Sequence, residues 1–180
     1  IRRPPRSTLD RSSAASDVYK RQIMKKLLTL IAVALLSLTA CEPDDICLED
    51  TPGTPKLIVV FYGKNQTDTK KSVTDLQVKG MDMEGILYNA TTDSIALPLK
   101  TLAGSTSFTL TATQNGNAAE DIITFNYDPE DQFISRACGY KTVFTNLTFS
   151  TGNTLNFIST IEILTNSISD NNNTNVKILH

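Results

Sequence analysis

The chain has no tryptophan and one histidine, His180, in 180 residues. Without tryptophan it lacks the best aromatic platform for stacking a sugar ring, which weakens any glycosidase or carbohydrate-binding reading. With its one imidazole at the last position, where fraying is expected, neither a Ser-His nor a Cys-His nucleophilic device nor a His-rich metal site can be assembled. No catalytic residue and no cofactor is therefore assigned. Cysteine is scarce too, limited to Cys41, Cys47 and Cys138. No apolar run reaches the roughly 18–20 residues that a membrane-spanning helix needs, and after Cys41 no segment sustains helical spacing of apolar residues.

Positive charge is also thin after Cys41. Eight of the seventeen Lys and Arg residues precede it but only two of the nineteen acids, Asp10 and Asp17. The remainder carries nine basic and seventeen acidic side chains, a net charge of −8 against −2 for the whole chain. This excludes the basic footprint expected of a nucleic-acid partner.

What is present begins with a segmented N-terminus. Residues 1–23 (IRRPPRSTLDRSSAASDVYKRQI) are rich in Arg and Ser and show no apolar periodicity, a composition expected to be disordered. They resemble spurious read-through of vector or adapter sequence found at the ends of environmental gene models; a genuine basic arm is the alternative. The expected start is Met24, followed by Lys25 and Lys26 and the apolar run Leu27 to Leu38, interrupted by Thr29 and Ser37. As a helix this run would be roughly 18 Å long, too short for a hydrocarbon core of about 30 Å. Residues 24–40 thus read as a secretory signal peptide.

The signal ends in Leu38-Thr39-Ala40-Cys41, which resembles the lipobox of bacterial lipoproteins. That resemblance implies cleavage before Cys41, a diacylglyceryl group on its thiol, acylation of the new amino group, and hence membrane lipid as a partner. An ordinary secretory peptide with a chance cysteine is the competing reading. Glu42, Asp44 and Asp45 resemble the surface-export signal of Bacteroidota lipoproteins, although Pro43 departs from it and a solvated acidic tether would look the same. The expected location is the outer membrane, lipid-anchored, with the periplasmic and cell-surface faces both open.

Residues 41–55 read as the lipidated cysteine and its tether, and 56–180 as the folded domain. Lys56 to Tyr62 (KLIVVFY) is apolar on both faces, the pattern of a central strand. Period-two alternation follows at Leu76 and Val78; Ile95, Leu97 and Leu99; Phe108 and Leu110; Ile123, Phe125 and Tyr127; Val143, Leu147 and Phe149; Ile161 and Ile163; Val176 and Ile178. Turn signals separate them at 63–65, 80, 104–105, 114–117, 128–129, 151–153 and 170–175. Eight or nine short strands of this kind predict an all-β antiparallel sandwich, immunoglobulin-like or transthyretin-like, with a small β-barrel as the alternative. The Asn-rich run 171–175 reads as a solvated hairpin loop before the last strand.

An exported domain with two further cysteines is expected to join Cys47 to Cys138 as a disulfide. The competing reading is a reactive thiol at Cys138, activated by Arg136 and Lys141. Asp128, Glu130 and Asp131, with Asn126 nearby, are weak candidates for a Ca²⁺ site; a polar turn at Asp128-Pro129 explains them as well. Asp93-Ser94-Ile95 resembles the short O-glycosylation site of exported Bacteroidota proteins, and Ile95 also fits an inward strand position.

Several segments carry a wider resemblance: Cys41 followed by Asp44-Asp45-Ile46-Cys47, Pro55-Lys56-Leu57-Ile58 leading to Phe61-Tyr62, Asp93-Ser94-Ile95, Ile123 to Tyr127, Ser135-Arg136-Ala137-Cys138-Gly139-Tyr140-Lys141, and Asn175-Val176-Lys177-Ile178. Together they resemble an uncharacterised lipoprotein family of Bacteroidota, a domain of unknown function. The resemblance implies lipidation and an envelope location, and no activity. The expected function is a non-enzymatic envelope lipoprotein that binds or supports another component, such as an outer-membrane protein, through a strand edge or loop face. A small-ligand or polysaccharide-binding module is the alternative, and a metal-dependent hydrolase ranks third.

Overall fold

The computed structural model of the chain describes residues 22–33, 46–114, 116–152 and 155–180. Residues 22–33 form a helix with exposed side chains, within a unit distinct from the compact unit Cys47–His180. No helix among the described residues is long and apolar enough to cross a membrane.

The second unit is a two-sheet β-sandwich. Its strands are β1 (Leu57–Gly63), β2 (Gln66–Lys70), β3 (Val73–Gly80), β4 (Ile86–Thr92), β5 (Ser94–Leu97), β6 (Ser105–Gln114), β7 (Asn117–Ser135), β8 (Gly139–Thr151), β9 (Thr160–Ile163) and β10 (Val176–Leu179). One sheet is fully antiparallel, in the order β4-β3-β6-β7-β8. In the other, β1 lies between β10, its parallel neighbour, and an edge shared by β5 along its first half and β2 at its end. β9 completes that sheet outside β10. Neither sheet closes into a barrel among the described residues.

The alternation read from the sequence sets which face of each strand is buried. In β6, Thr106, Phe108, Leu110 and Ala112 are buried while Ser107, Thr109 and Thr111 alternate outward. In β7 the inward set is Asp121, Ile123, Phe125 and Tyr127. Facing them from the other sheet are Leu57, Val59, Phe61, Ile95, Leu97, Val176 and Ile178, all in one continuous core. Phe61, Phe108, Phe125 and Phe144 are fully buried, and each contributes about 1.5–3 kcal/mol relative to an exposed ring.

Two inward-facing polar residues are satisfied locally. Lys100 N–H donates to Thr106 Oγ1 at 3.0 Å, Tyr127 Oη donates to the Lys100 carbonyl at 2.9 Å, and the two hydroxyls meet at 2.5 Å. The bonds form a closed ring that satisfies both polar groups of Lys100's backbone and fixes the β5–β6 connection. Replacing Tyr127 with Phe opens the ring and leaves Thr106 short of a partner. Chemical denaturation of Tyr127→Phe is expected to show a loss of about 1–2 kcal/mol; a variant as stable as the parent would refute this role.

Several local expectations are corrected. Asp128-Pro129 is not a turn, because β7 runs unbroken through it for 19 residues. Beyond Asn126, β7 has left β6 and pairs only with β8, so a proline lacking N–H is tolerated on that one-sided ladder. The Asn-rich run is not simply solvated. Asn175 is 1% exposed, and its Oδ1 accepts from Ile58 N–H at 2.9 Å while its Nδ2 donates to Thr165 Oγ1 at 3.0 Å. The β9–β10 connection also carries Ile168 across to β8, where it bridges Phe144 and is completely buried. His180 does not fray: its N–H donates to the Tyr62 carbonyl, its own carbonyl accepts from Lys64 N–H, and its ring stands edge-on to Phe61.

Candidate functional site

The β3–β4 turn is built by close backbone approach. Met83 N–H donates to the Gly80 carbonyl at 3.0 Å, and Met81 N–H donates across to Ser107 O at 3.0 Å. A Cβ at Gly80 would lie 3.2 Å from the Met83 sulfur, a tight contact that the flexible thioether would have to shift to relieve. The turn opens a pocket of about 290 Å³ lined by Met81, Met83, Leu87, Pro98, Leu99 and Phe108. Asp82 and Lys100 also line it and pair with each other as an ion pair. Both are well exposed, so the pair contributes little to stability. Met81 and Met83 are more than half exposed; two flexible thioethers give the walls a surface that adapts to an apolar guest.

Beside the pocket runs β4, ILYNATT, which pairs only with β3 among the described residues. It has no charged residue and no proline, the usual guards against edge-to-edge pairing. The pairing is bulged at Leu87, which bends the edge beside the pocket; an apolar pocket next to an uncharged strand edge is suited to holding a side chain while the backbone adds a strand. Neither was read from the sequence. The available signal was the Met-x-Met pair between Gly80 and Gly85.

A second, polar pocket of about 280 Å³ lies where Lys71, Ser72, Thr74, Thr113, Gln114 and His180 converge. His180 Nε2 lies 3.1 Å from the Lys71 carbonyl, so that nitrogen carries the proton of the neutral ring. Burial pushes the imidazole below the ordinary histidine range; the bond to the Lys71 carbonyl opposes this and the Lys71 charge reinforces it.

Of the residues singled out from the sequence, Cys47 and Cys138 are joined as a disulfide, which removes the reactive-thiol reading of Cys138. The bond pins the start of the folded unit to the tip of the β7–β8 hairpin. Further along, Thr142 N–H donates to Thr54 Oγ1 at 3.1 Å, so the segment expected as tether is fixed to the β7–β8 hairpin at Cys47 and again at Thr54. Cys41, Glu42, Asp44 and Asp45 lie outside the described residues.

Asp128, Glu130 and Asp131 are separated by the strand. Asp131 points to the opposite face of β7 from the other two, and each carboxylate accepts from a β8 side chain: Asn146, Thr145 and Thr142 respectively. Among the described residues no group of three or more His, Cys, Asp or Glu is placed to hold a metal. Ser94 sits at the corner where β4 passes to β5, in register with Val60, and Ile95 is buried.

A family model matches residues 75–180, from inside β3 to the last residue. The chain belongs to a family of unknown function, DUF6452. The matched span contains every residue lining the apolar pocket, all of β4 and Cys138, and it omits β1, β2 and Cys47. No curated protein and no solved structure matches the chain.

Proposed function

We propose that this member of the family is a Bacteroidota envelope lipoprotein. In this reading residues 24–40 are a signal peptide, Cys41 carries the lipid, and the sandwich is a non-catalytic accessory held at the outer membrane. Its β4 edge and adjoining apolar pocket engage another envelope component, such as an outer-membrane protein. The observation that carries the reading is the Cys47–Cys138 bond, a crosslink suited to an oxidising compartment and placed six residues past the lipobox cysteine. Glu42, Asp44 and Asp45 fit export to the surface or a plain periplasmic tether equally.

The test is Cys41→Ser in the full chain. Intact-mass measurement is expected to show acyl groups on the parent and none on the variant, with the variant leaving the membrane fraction. Unacylated parent would refute the anchor. Crosslinking in intact envelopes is expected to capture one stoichiometric partner through β4, and no such partner would refute the accessory role.

The pocket's apolar lining favours a second reading, a module for a small apolar ligand, and disfavours a polysaccharide. An anilinonaphthalene dye is expected to bind there. Met83→Glu would weaken it roughly tenfold or more, the equivalent of about 1.4 kcal/mol. Unchanged dye affinity in the variant would reject the pocket as the binding site.

A further inference from the structure

Beyond Asn126, β7 leaves β6 and pairs with β8 alone from Asp128↔Thr145 to Ser135↔Gly139, a two-stranded arm whose base stays in the core through Phe144 and whose tip is exposed. The arm is braced along β8 by the Ile168 bridge at Phe144, by Thr54 at Thr142, and by the disulfide at Cys138. Near its tip Phe133 and Tyr140 are directly cross-strand, with ring centroids 5.3 Å apart in an edge-to-face pair. Yet they are 57% and 68% exposed, and Leu48, next to the disulfide-bonded Cys47, is 66% exposed. An aromatic pair fixed on a braced arm and left in water lacks a partner.

Position points to what that partner is. Six residues of extended chain span at most about 20 Å, so Cys47 cannot lie farther than that from Cys41. The Cys47 and Cys138 Cα atoms are 4.9 Å apart, and Tyr140 is two residues further on. A lipid on Cys41 therefore keeps this tip within about 20 Å of the headgroup layer. Tyrosine is enriched in that layer, with its ring in apolar surroundings and its hydroxyl in water, and a phenyl ring packed against it adds apolar surface.

We propose that the β7–β8 tip is a second membrane contact: Phe133 and Tyr140 insert into the lipid interface, and the arm carries the sandwich behind them. The inference rests on lipidation at Cys41. Glu49 and Asp50, which follow Leu48 and are exposed, keep that side of the tip at the surface, so the contact is shallow.

The absence of tryptophan allows a clean test. Tyr140→Trp and, separately, Phe133→Trp place the only indole at the tip; Ala118→Trp places it on an exposed site at the other end of β7. Each full-length acylated protein is reconstituted into phosphatidylethanolamine–phosphatidylglycerol vesicles containing brominated lipid. The tip indoles are expected to emit at shorter wavelength and to be quenched severalfold more strongly than the indole of Ala118→Trp. Equal quenching at both ends in protein shown by mass to be acylated would overturn the contact while leaving the anchor intact. Protein shown by mass to lack acyl groups would overturn both.

Discussion

Removing the Cys47–Cys138 bond is expected to cost up to about 4–5 kcal/mol, the chain-entropy value for closing a loop of roughly ninety residues. The two cysteines are 91 positions apart and the bond encloses seven of the ten strands, so the unfolded chain regains most of its freedom when it is cut. Typical domains are stable by about 5–15 kcal/mol, so the loss is a large share of the total. The Cys47→Ser/Cys138→Ser variant should show a urea midpoint lowered in proportion. Reductant should shift the parent to the same midpoint and leave the variant unmoved. A variant with the parent's midpoint would mean that the arm and the Thr54 contact hold this end without the crosslink.

Asp121→Ala is expected to destabilise the domain by about 3–5 kcal/mol. Asp121 is 1% exposed, and its carboxylate accepts from the backbone N–H groups of Asn156, Phe157 and Ile158 at 2.5, 3.0 and 2.8 Å. That segment crosses from β8 in one sheet to β9 in the other and places Phe157 and Ile158 in the core. Truncation leaves buried donors without an acceptor, at about 1–3 kcal/mol each, reduced where the loop relaxes toward water. Amide exchange at Phe157 and Ile158 should accelerate together with the loss of stability. The comparison is Asp170→Ala: that carboxylate accepts from Asn172 N–H on the exposed surface, and its loss should cost less than about 1 kcal/mol. Equal effects at the two positions would show that burial is not what makes Asp121 matter.

Asp121 also shows where reading by sequence stopped. It is in phase with Ile123, Phe125 and Tyr127, so alternation alone marks it as inward-facing. Its purpose is set by N–H groups thirty-five and more residues away, which no local pattern reveals. The same holds for Asn175, which looks like part of a polar run and in fact closes the start of β1. β2, QTDTK, is fully exposed and has no apolar signal to find; it is a strand because β1 offers it an edge.

The sequence by itself determined the sandwich class, the central place of β1, the inward faces of β6 and β7, and the pair of cysteines available for a crosslink. These follow from period-two alternation and composition, which act within a few residues. Only the tertiary structure decided the parallel β1–β10 pair, the passage of β7 through Pro129, the pocket at the β3–β4 turn, and the aromatic tip pinned at Cys138. Each of these depends on which distant strand supplies the neighbouring hydrogen bonds or leaves an edge without them.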